Sequence, residues 1–163
     1  MRVAAAIEVS APPEAVWEHV TDPARYLHFF SGLTRWEVAS EGPMSLGSRF
    51  RMLMRVGSAE VGGLVEVIEF DEQRDLAWTS VTGLDQRGRW RLRARPMERT
   101  RVELRLSYGV AGAGLFGWIA ERVGAPTVRG HLQRTVQQLK RQVEQEQTRR
   151  RAAARRASRA GAA

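Results

Sequence analysis

The chain has 163 residues, of which 43% are hydrophobic and 27% are charged, as is usual for one globular domain. It contains no cysteine, which excludes disulfides, thiolate nucleophiles and thiolate metal sites. No apolar run approaches the ~20 residues that span a bilayer, and the first ten residues lack the apolar core of a signal peptide. These features predict a cytoplasmic protein.

The net charge of +8 is concentrated at the C-terminal end. Residues 147–163 hold six arginines and no acid, which leaves 20 basic and 18 acidic residues in 1–146. The sequence therefore predicts a domain over 1–146 and a basic, disordered tail over 147–163. Because the tail has no aromatic residues for base stacking, we expect no specific nucleic-acid binding. A solvated charge run is the simplest interpretation, and a weak contact with an anionic membrane surface is the alternative.

The N-terminal third predicts one strand and two short helices. Residues Val3–Val9 form a mixed apolar run typical of a strand. Pro13 suits the first turn of a helix, and Asp22 followed by proline is a second helix start.

Between Leu33 and Tyr108 the hydrophobic period changes to two. Five arginines from Arg87 to Arg95, for example, alternate with inward candidates such as Trp90. Such alternation is typical of antiparallel strands with one wet and one buried face. Turn signals divide the region into about six consecutive strands.

After a glycine-rich joint, the remaining chain predicts one long helix. Its apolar stripe steps by three and four residues. The stripe consists of Val128, Leu132, Val136, Leu139 and Val143. Pro126 predicts a kink or a broken first segment near Gly124.

Three segments carry a family pattern: IEVSAPPEAVWEHVTDPARYLHFF (Ile7–Phe30), LAW (Leu76–Trp78) and the Trp90-x-Leu92 strand. They resemble the START-like helix-grip (SRPBCC) superfamily, which includes polyketide cyclases/dehydrases and lipid-transfer domains. The resemblance covers roughly residues 3–145. It implies an α+β helix-grip fold, with a curved antiparallel sheet of about seven strands wrapped around the long C-terminal helix and two short helices after the first strand.

The resemblance also implies an elongated cavity between the sheet and the helix. Any single large side chain on the strand face is more often packed core, but as a set these residues are candidates for lining the cavity. The candidate ligand-binding residues are Tyr26, Phe29, Phe30, Phe50, Met52, Met54, Val65, Val67, Trp78, Trp90, Leu104, Tyr108, Phe116, Val128 and Leu132.

Motifs for cofactor or metal chemistry are weak. The segment GAGLFG (Gly112–Gly117) matches G-x-G-x-x-G, but no βαβ unit surrounds it, so a flexible gate beside Phe116 is the preferred interpretation. The three histidines show no metal spacing. We expect His19 and His131 to face solvent and His28 to have a chance of facing a ligand. No cofactor and no metal are predicted.

Carboxylates on the predicted strands give no catalytic pair. We expect Glu66 and Glu103 to stand on the wet face opposite arginines, where cross-strand pairs contribute ~0.2–1 kcal/mol. A buried Glu66 with a raised pKa is the less favoured alternative.

The leading functional hypothesis is binding of a small hydrophobic ligand, such as a lipid, polyketide or quinone-like molecule, for transport, sensing or sequestration. The alternative is a cyclase/dehydrase-type enzyme in the same cavity, with Tyr108, His28 or Glu66 as available acid–base groups. No complete catalytic set is predicted. A regulator that binds a protein or ribosome through its basic tail is a third hypothesis.

Overall fold

The computed structural model describes the backbone of residues 1–109 and 114–161 and the side chains of 1–109 and 124–161. Its elements are β1 (Arg2–Val9), α1 (Pro13–Val20), a 3-10 turn (Pro23–Arg25), α2 (Tyr26–Phe29), β2 (Leu33–Val38), β3 (Arg49–Val56), β4 (Ala59–Asp71), β5 (Asp75–Ser80), β6 (Asp85–Arg95), β7 (Arg99–Gly109) and α3 (Gly114–Ala160). The strands form one antiparallel sheet in the order β1-β7-β6-β5-β4-β3-β2. This architecture confirms the predicted helix-grip fold and its two short helices.

Both short helices begin where the sequence predicts. α1 has Pro12 at its N-cap and Pro13 at its first position, where the missing N–H costs no helical hydrogen bond. The Asp22 carboxylate accepts a hydrogen bond from the Ala24 N–H at 3.0 Å and caps the 3-10 turn that leads into α2. α1 contacts α3 and the strands β6 and β7, which places the connection from β1 against the sheet.

The two faces of the sheet are chemically distinct. On β6, Trp90 and Leu92 are buried, whereas Arg89 and Arg91 stand on the opposite, outer face. Trp90 lies directly across from Leu104 on β7, so the inner faces of neighbouring strands form one apolar surface. The predicted alternation is confirmed.

α3 covers that apolar surface. All five residues of its predicted stripe are buried, each at most 3% exposed. The helix continues without interruption through Pro126, so the broken first segment predicted near Gly124 is not seen. Neighbouring turns and the packed stripe hold the helix together across the missing proline N–H. Among the described residues, no helix is long and apolar enough to cross a membrane.

The basic C-terminal segment is helical up to Ala160, and residues 148–161 are all exposed. The sequence predicts disorder there because the apolar stripe ends at Val143. Alanine and arginine are strong helix formers, and the segment extends a helix that packing has already nucleated. The segment is therefore helical even though its residues are exposed.

The glycine-rich joint lies mostly beyond what the structure describes. Gly112 is outside the described residues, Gly114 and Gly117 fall within α3, and the side chain of Phe116 is not described. The hinged gate predicted there stays a prediction.

Candidate functional site

A small interior cavity lies at the end of the sheet where β6 begins and β7 ends. Its volume is about 30 Å³. Its lining combines inner-face strand residues with one residue of α3. The lining residues are Met52, Met54, Val56, Val61, Leu84, Gln86, Leu106, Tyr108 and Val128. Four of the predicted ligand-binding residues (Met52, Met54, Tyr108 and Val128) therefore lie together around one space.

The cavity has two polar side chains in its lining, Gln86 and Tyr108, and they lie directly opposite each other on β6 and β7. Gln86 is 5% exposed. The Tyr108 hydroxyl contacts Met1 Sδ at 3.6 Å, a distance that a weak hydrogen bond to sulfur allows. Sequence reasoning missed Gln86 because Gly83–Gln86 resembles a turn. Counting back by two from Trp90 along β6 would have placed it on the inner face.

Aromatic side chains fill the middle of the interior. Tyr26 stacks on Trp36 at a centroid distance of 4.2 Å, and Trp36 stacks on Phe50 at 4.8 Å. Trp90 meets Phe29 and Phe30 edge to face, each at 6.2 Å. The predicted candidates in this group belong to a close-packed core. Val65, Val67, Leu104 and Leu132, also predicted candidates, are buried in the same core.

Tyr26 has a structural role. Its hydroxyl donates to the Val20 carbonyl at 2.7 Å and ties α2 to the end of α1. Burial raises the pKa of Tyr26 well above its usual value. Tyr26 therefore stays protonated and is not an acid–base group near neutral pH.

Three indole N–H groups are buried without a hydrogen-bond partner among the described residues. They belong to Trp36, Trp78 and Trp90. Trp78, a predicted ligand-binding residue, is 6% exposed and packs over Gly88. These donors are available to an acceptor only if the core repacks.

The other acid–base candidates do not face the cavity. Glu66 is on the outer face, where it accepts a hydrogen bond from Arg49 Nε at 2.8 Å, as the favoured interpretation predicted. His28 is exposed beside α3, and its backbone carbonyl accepts from Gln142. His28 therefore does not face the interior cavity.

The expectation that His19 and His131 face solvent is wrong. His19 is 2% exposed because α1 packs on α3, and its ring lies 3.0 Å from the Ala15 carbonyl and 2.9 Å from an Arg25 nitrogen. His131 is half-buried against Gly32, and its Nε2 lies 3.1 Å from the Arg55 carbonyl. Burial lowers the pKa of both imidazoles. Each histidine therefore connects two structural elements: His19 links α1 to the 3-10 turn, and His131 links α3 to β3.

Within the described part of the chain, no three histidine or carboxylate side chains lie close enough together to hold a metal ion.

Solved structures with this architecture come from several bacteria. A Thermus thermophilus protein has a TM-score of 0.75 and 21% identity, covering 88% of this chain and 97% of that one. The Zhui aromatase/cyclase of a Streptomyces species has a TM-score of 0.73 and 21% identity, with 88% and 93% covered. A START superfamily protein of Mycobacterium smegmatis has a TM-score of 0.65 and 17% identity, with 88% and 97% covered. At these identities the likeness shows the fold alone.

Comparison with curated protein sequences gives no match. The model of one family, described as polyketide cyclase / dehydrase and lipid transport, matches residues 1–144. This match spans the whole sheet and the packed part of α3, the elements that build the interior cavity. The chain therefore belongs to the polyketide cyclase/dehydrase and lipid transport family, and it has the START-like (SRPBCC) helix-grip fold.

Proposed function

We propose that the protein binds a small hydrophobic ligand in the interior cavity between the sheet and α3. The observation that carries this proposal is the lining, which is apolar except for Gln86 and Tyr108. Such a lining favours a molecule with an apolar body and one or two polar groups, as in a lipid, polyketide or quinone. The description of the family, which includes lipid transport, supports the same class of ligand.

The size of the cavity sets a condition on binding. About 30 Å³ is roughly the room of one water molecule, so a lipid-sized ligand requires the lining to move apart. Met52 and Met54 suit this movement because methionine is unbranched and adapts its shape at low cost.

Gln86 and Tyr108 give the ligand an orientation. Both residues line the same apolar space from neighbouring strands, and a hydrogen bond in such a space is stronger than in water. An amide and a phenol together can donate to a carbonyl and accept from a hydroxyl. We infer that the polar end of the ligand lies between them.

The test is titration with Nile red, a neutral apolar fluorophore that surface arginines do not attract. Leu84→Trp places a large ring at the cavity, whereas Val81→Trp adds the same ring on the exposed side of the same turn. We expect Leu84→Trp to weaken binding at least about tenfold and Val81→Trp to leave it unchanged. Equal affinity in both variants would place the probe elsewhere and reject the cavity.

A cyclase/dehydrase-type reaction in the same cavity is the second candidate. The position of Tyr108 favours it, because this is the one acid–base candidate from the sequence that lines the cavity. A phenol can donate a proton to a departing hydroxyl. Native mass spectrometry identifies a co-purified ligand, and incubation with fresh protein then separates the two functions. An unchanged ligand mass supports binding alone, whereas loss of one water that stops in Tyr108→Phe supports the enzyme.

A further inference from the structure

The outer face of the sheet carries a second feature, on the side opposite the cavity. A groove of about 710 Å³ is lined by five arginines and one carboxylate, Asp85. We call it the arginine groove. Its arginines are Arg2, Arg87, Arg89, Arg91 and Arg105. This volume lies in the range of small-molecule sites, ~300–1,000 Å³.

Three of these arginines are already paired with carboxylates. Arg89 and Arg91 bind Asp75, at 3.3 and 3.1 Å, and Arg89 also binds Glu69. Arg105 pairs with Glu103 on its own strand. These ion pairs hold three guanidinium groups in place along one side of the groove.

Arg2 and Arg87 differ from the others. Neither side chain has an ion pair or hydrogen bond with any residue in the described ranges 1–109 and 124–161. Both lie directly opposite Ser107, Arg87 from β6 and Arg2 from β1, so the three residues form one row across the sheet. Ser107 also lines the groove. Two unpaired guanidinium groups thus flank a hydroxyl on the same face.

The next row along the face holds arginines that are already paired. Arg89 lies directly opposite Arg105 on β7, and the ion pairs described above balance both charges. An anion bound in the groove would supply the partners that Arg2 and Arg87 lack. Guanidinium groups bind phosphate oxygens in pairs of parallel hydrogen bonds, and several of them favour an anion with several oxygens.

We propose that the arginine groove binds a diphosphate group of a soluble organic molecule, with Arg2 and Arg87 as its principal ligands and Ser107 as a hydroxyl donor between them. The groove is separate from the interior cavity, although Leu106 and Tyr108 contribute to both linings. The proposal therefore does not depend on the proposed function. The shared residues place the two sites back to back at the end of β7.

The test is calorimetric titration of the full chain with inorganic pyrophosphate at physiological ionic strength. The double variant Arg2→Gln/Arg87→Gln removes both unpaired groups. The matched control is Arg95→Gln/Arg101→Gln, which removes the same charge from exposed arginines of the same face outside the groove. We expect the first variant to lose at least about tenfold in affinity and the control less than about twofold. Arg87→Lys keeps the charge without the planar fork, so an intermediate loss is expected.

Three results would overturn the proposal. One is the absence of pyrophosphate binding by the unmodified chain. Another is an equal loss of pyrophosphate affinity in both double variants, which would show attraction by the overall positive charge of the face and not binding at a defined site. The third is binding to phosphatidic-acid vesicles, but not to soluble pyrophosphate or neutral vesicles, which would assign the face to a membrane. Thermal unfolding of each variant verifies that its fold is intact, and Nile red binding should be unchanged in all of them.

Discussion

The indole ring of Trp78 occupies the space directly above Gly88, its cross-strand neighbour on β6. A Cβ atom on Gly88 would lie 1.9 Å from Cζ2 of the ring, so only glycine fits without displacing the tryptophan. A side chain at position 88 would therefore require the Trp78 ring to move. Gly88 is therefore fixed by packing, not by backbone angle.

Gly88→Ala should consequently destabilise the protein by about 1–3 kcal/mol, the usual cost of overpacking a filled core. Urea unfolding followed by circular dichroism measures the loss, and a shift in tryptophan emission reports the displaced ring. Gly130→Ala is the control, because its added Cβ would meet Arg134 at an ordinary 3.5 Å in the middle of α3. That change should stabilise by up to about 1 kcal/mol. Equal stability in both variants would show that Trp78 moves aside freely.

Stability should also depend on pH through His19. In the folded state Arg25 donates to its Nε2 and the Ala15 carbonyl accepts from Nδ1–H, an arrangement that requires the neutral ring. Burial lowers the pKa of His19 below 6.5, with Arg25 adding to the effect and Glu146 opposing it at 3.2 Å. Between the lowered pKa and 6.5 the unfolded chain binds more protons than the folded one. Stability therefore falls as the pH drops through this window.

His19→Gln should be less stable than the unmodified protein at pH 8, because it loses these contacts, yet should show a shallower decline between about pH 7 and 5. His131, whose pKa is also lowered, contributes to the remaining slope in the same window. His28→Gln is the control, since that side chain is exposed. Thermal unfolding across the pH series measures all three. A slope in His19→Gln as steep as in the unmodified chain would contradict the role of His19.

The sequence was sufficient for the fold because each element has a strong local signal. Period-two alternation identified β3, β6 and β7, and the stripe ending at Val143 identified the face of α3 that packs. The site was only partly predictable. Whether Phe50 or Met52 lines a cavity depends on how neighbouring rings pack, and Tyr26 and Trp36 fill the space beside Phe50. Packing of this kind joins residues that are distant in the sequence, so it produces no periodic sequence pattern.

Asp75 is the shared counter-ion of three arginines on the outer face of the sheet. Its side chain is 8% exposed and binds Arg89, Arg91 and, at 2.8 Å, Arg93. Burial alone would raise the pKa of Asp75, but the hydrogen bonds from Arg93 and Arg91 outweigh burial and lower the pKa below 3.8. The folded state therefore holds this carboxylate charged, and its contribution is lost as the pH falls through that range.

Asp75→Asn should cost about 1–3 kcal/mol at neutral pH, because three guanidinium groups lose a buried counter-ion. The same change frees Arg91 and leaves Arg89 with Glu69 as its one remaining carboxylate partner, so pyrophosphate binding in the arginine groove should become tighter. Asp71→Asn is the control, since its pair with Arg74 is exposed and 3.7 Å long. Weaker pyrophosphate binding in Asp75→Asn would show that Asp75 organises the groove and does not compete with its ligand.

The exposed end of α3 is the last feature with a measurable consequence. Beyond Glu146 its ion pairs with the domain include Arg150 with Glu18 at 2.8 Å and Arg151 with Glu98 at 3.7 Å. All four side chains are more than two-fifths exposed, so solvent screens these pairs and they add little to stability. The buried stripe of α3 ends before this segment.

Deleting residues 147–163 should therefore lower the free energy of unfolding by less than about 1 kcal/mol. Arg150→Ala in the full chain separates the ion pair from the rest of the segment and should account for most of that loss. Helical circular dichroism should decrease in the deletion, because about four turns of helix are removed. Urea unfolding measures the stability difference. A loss of several kcal/mol would mean that the segment packs on the domain in solution, and the boundary at residue 146 would have to move toward the C-terminus.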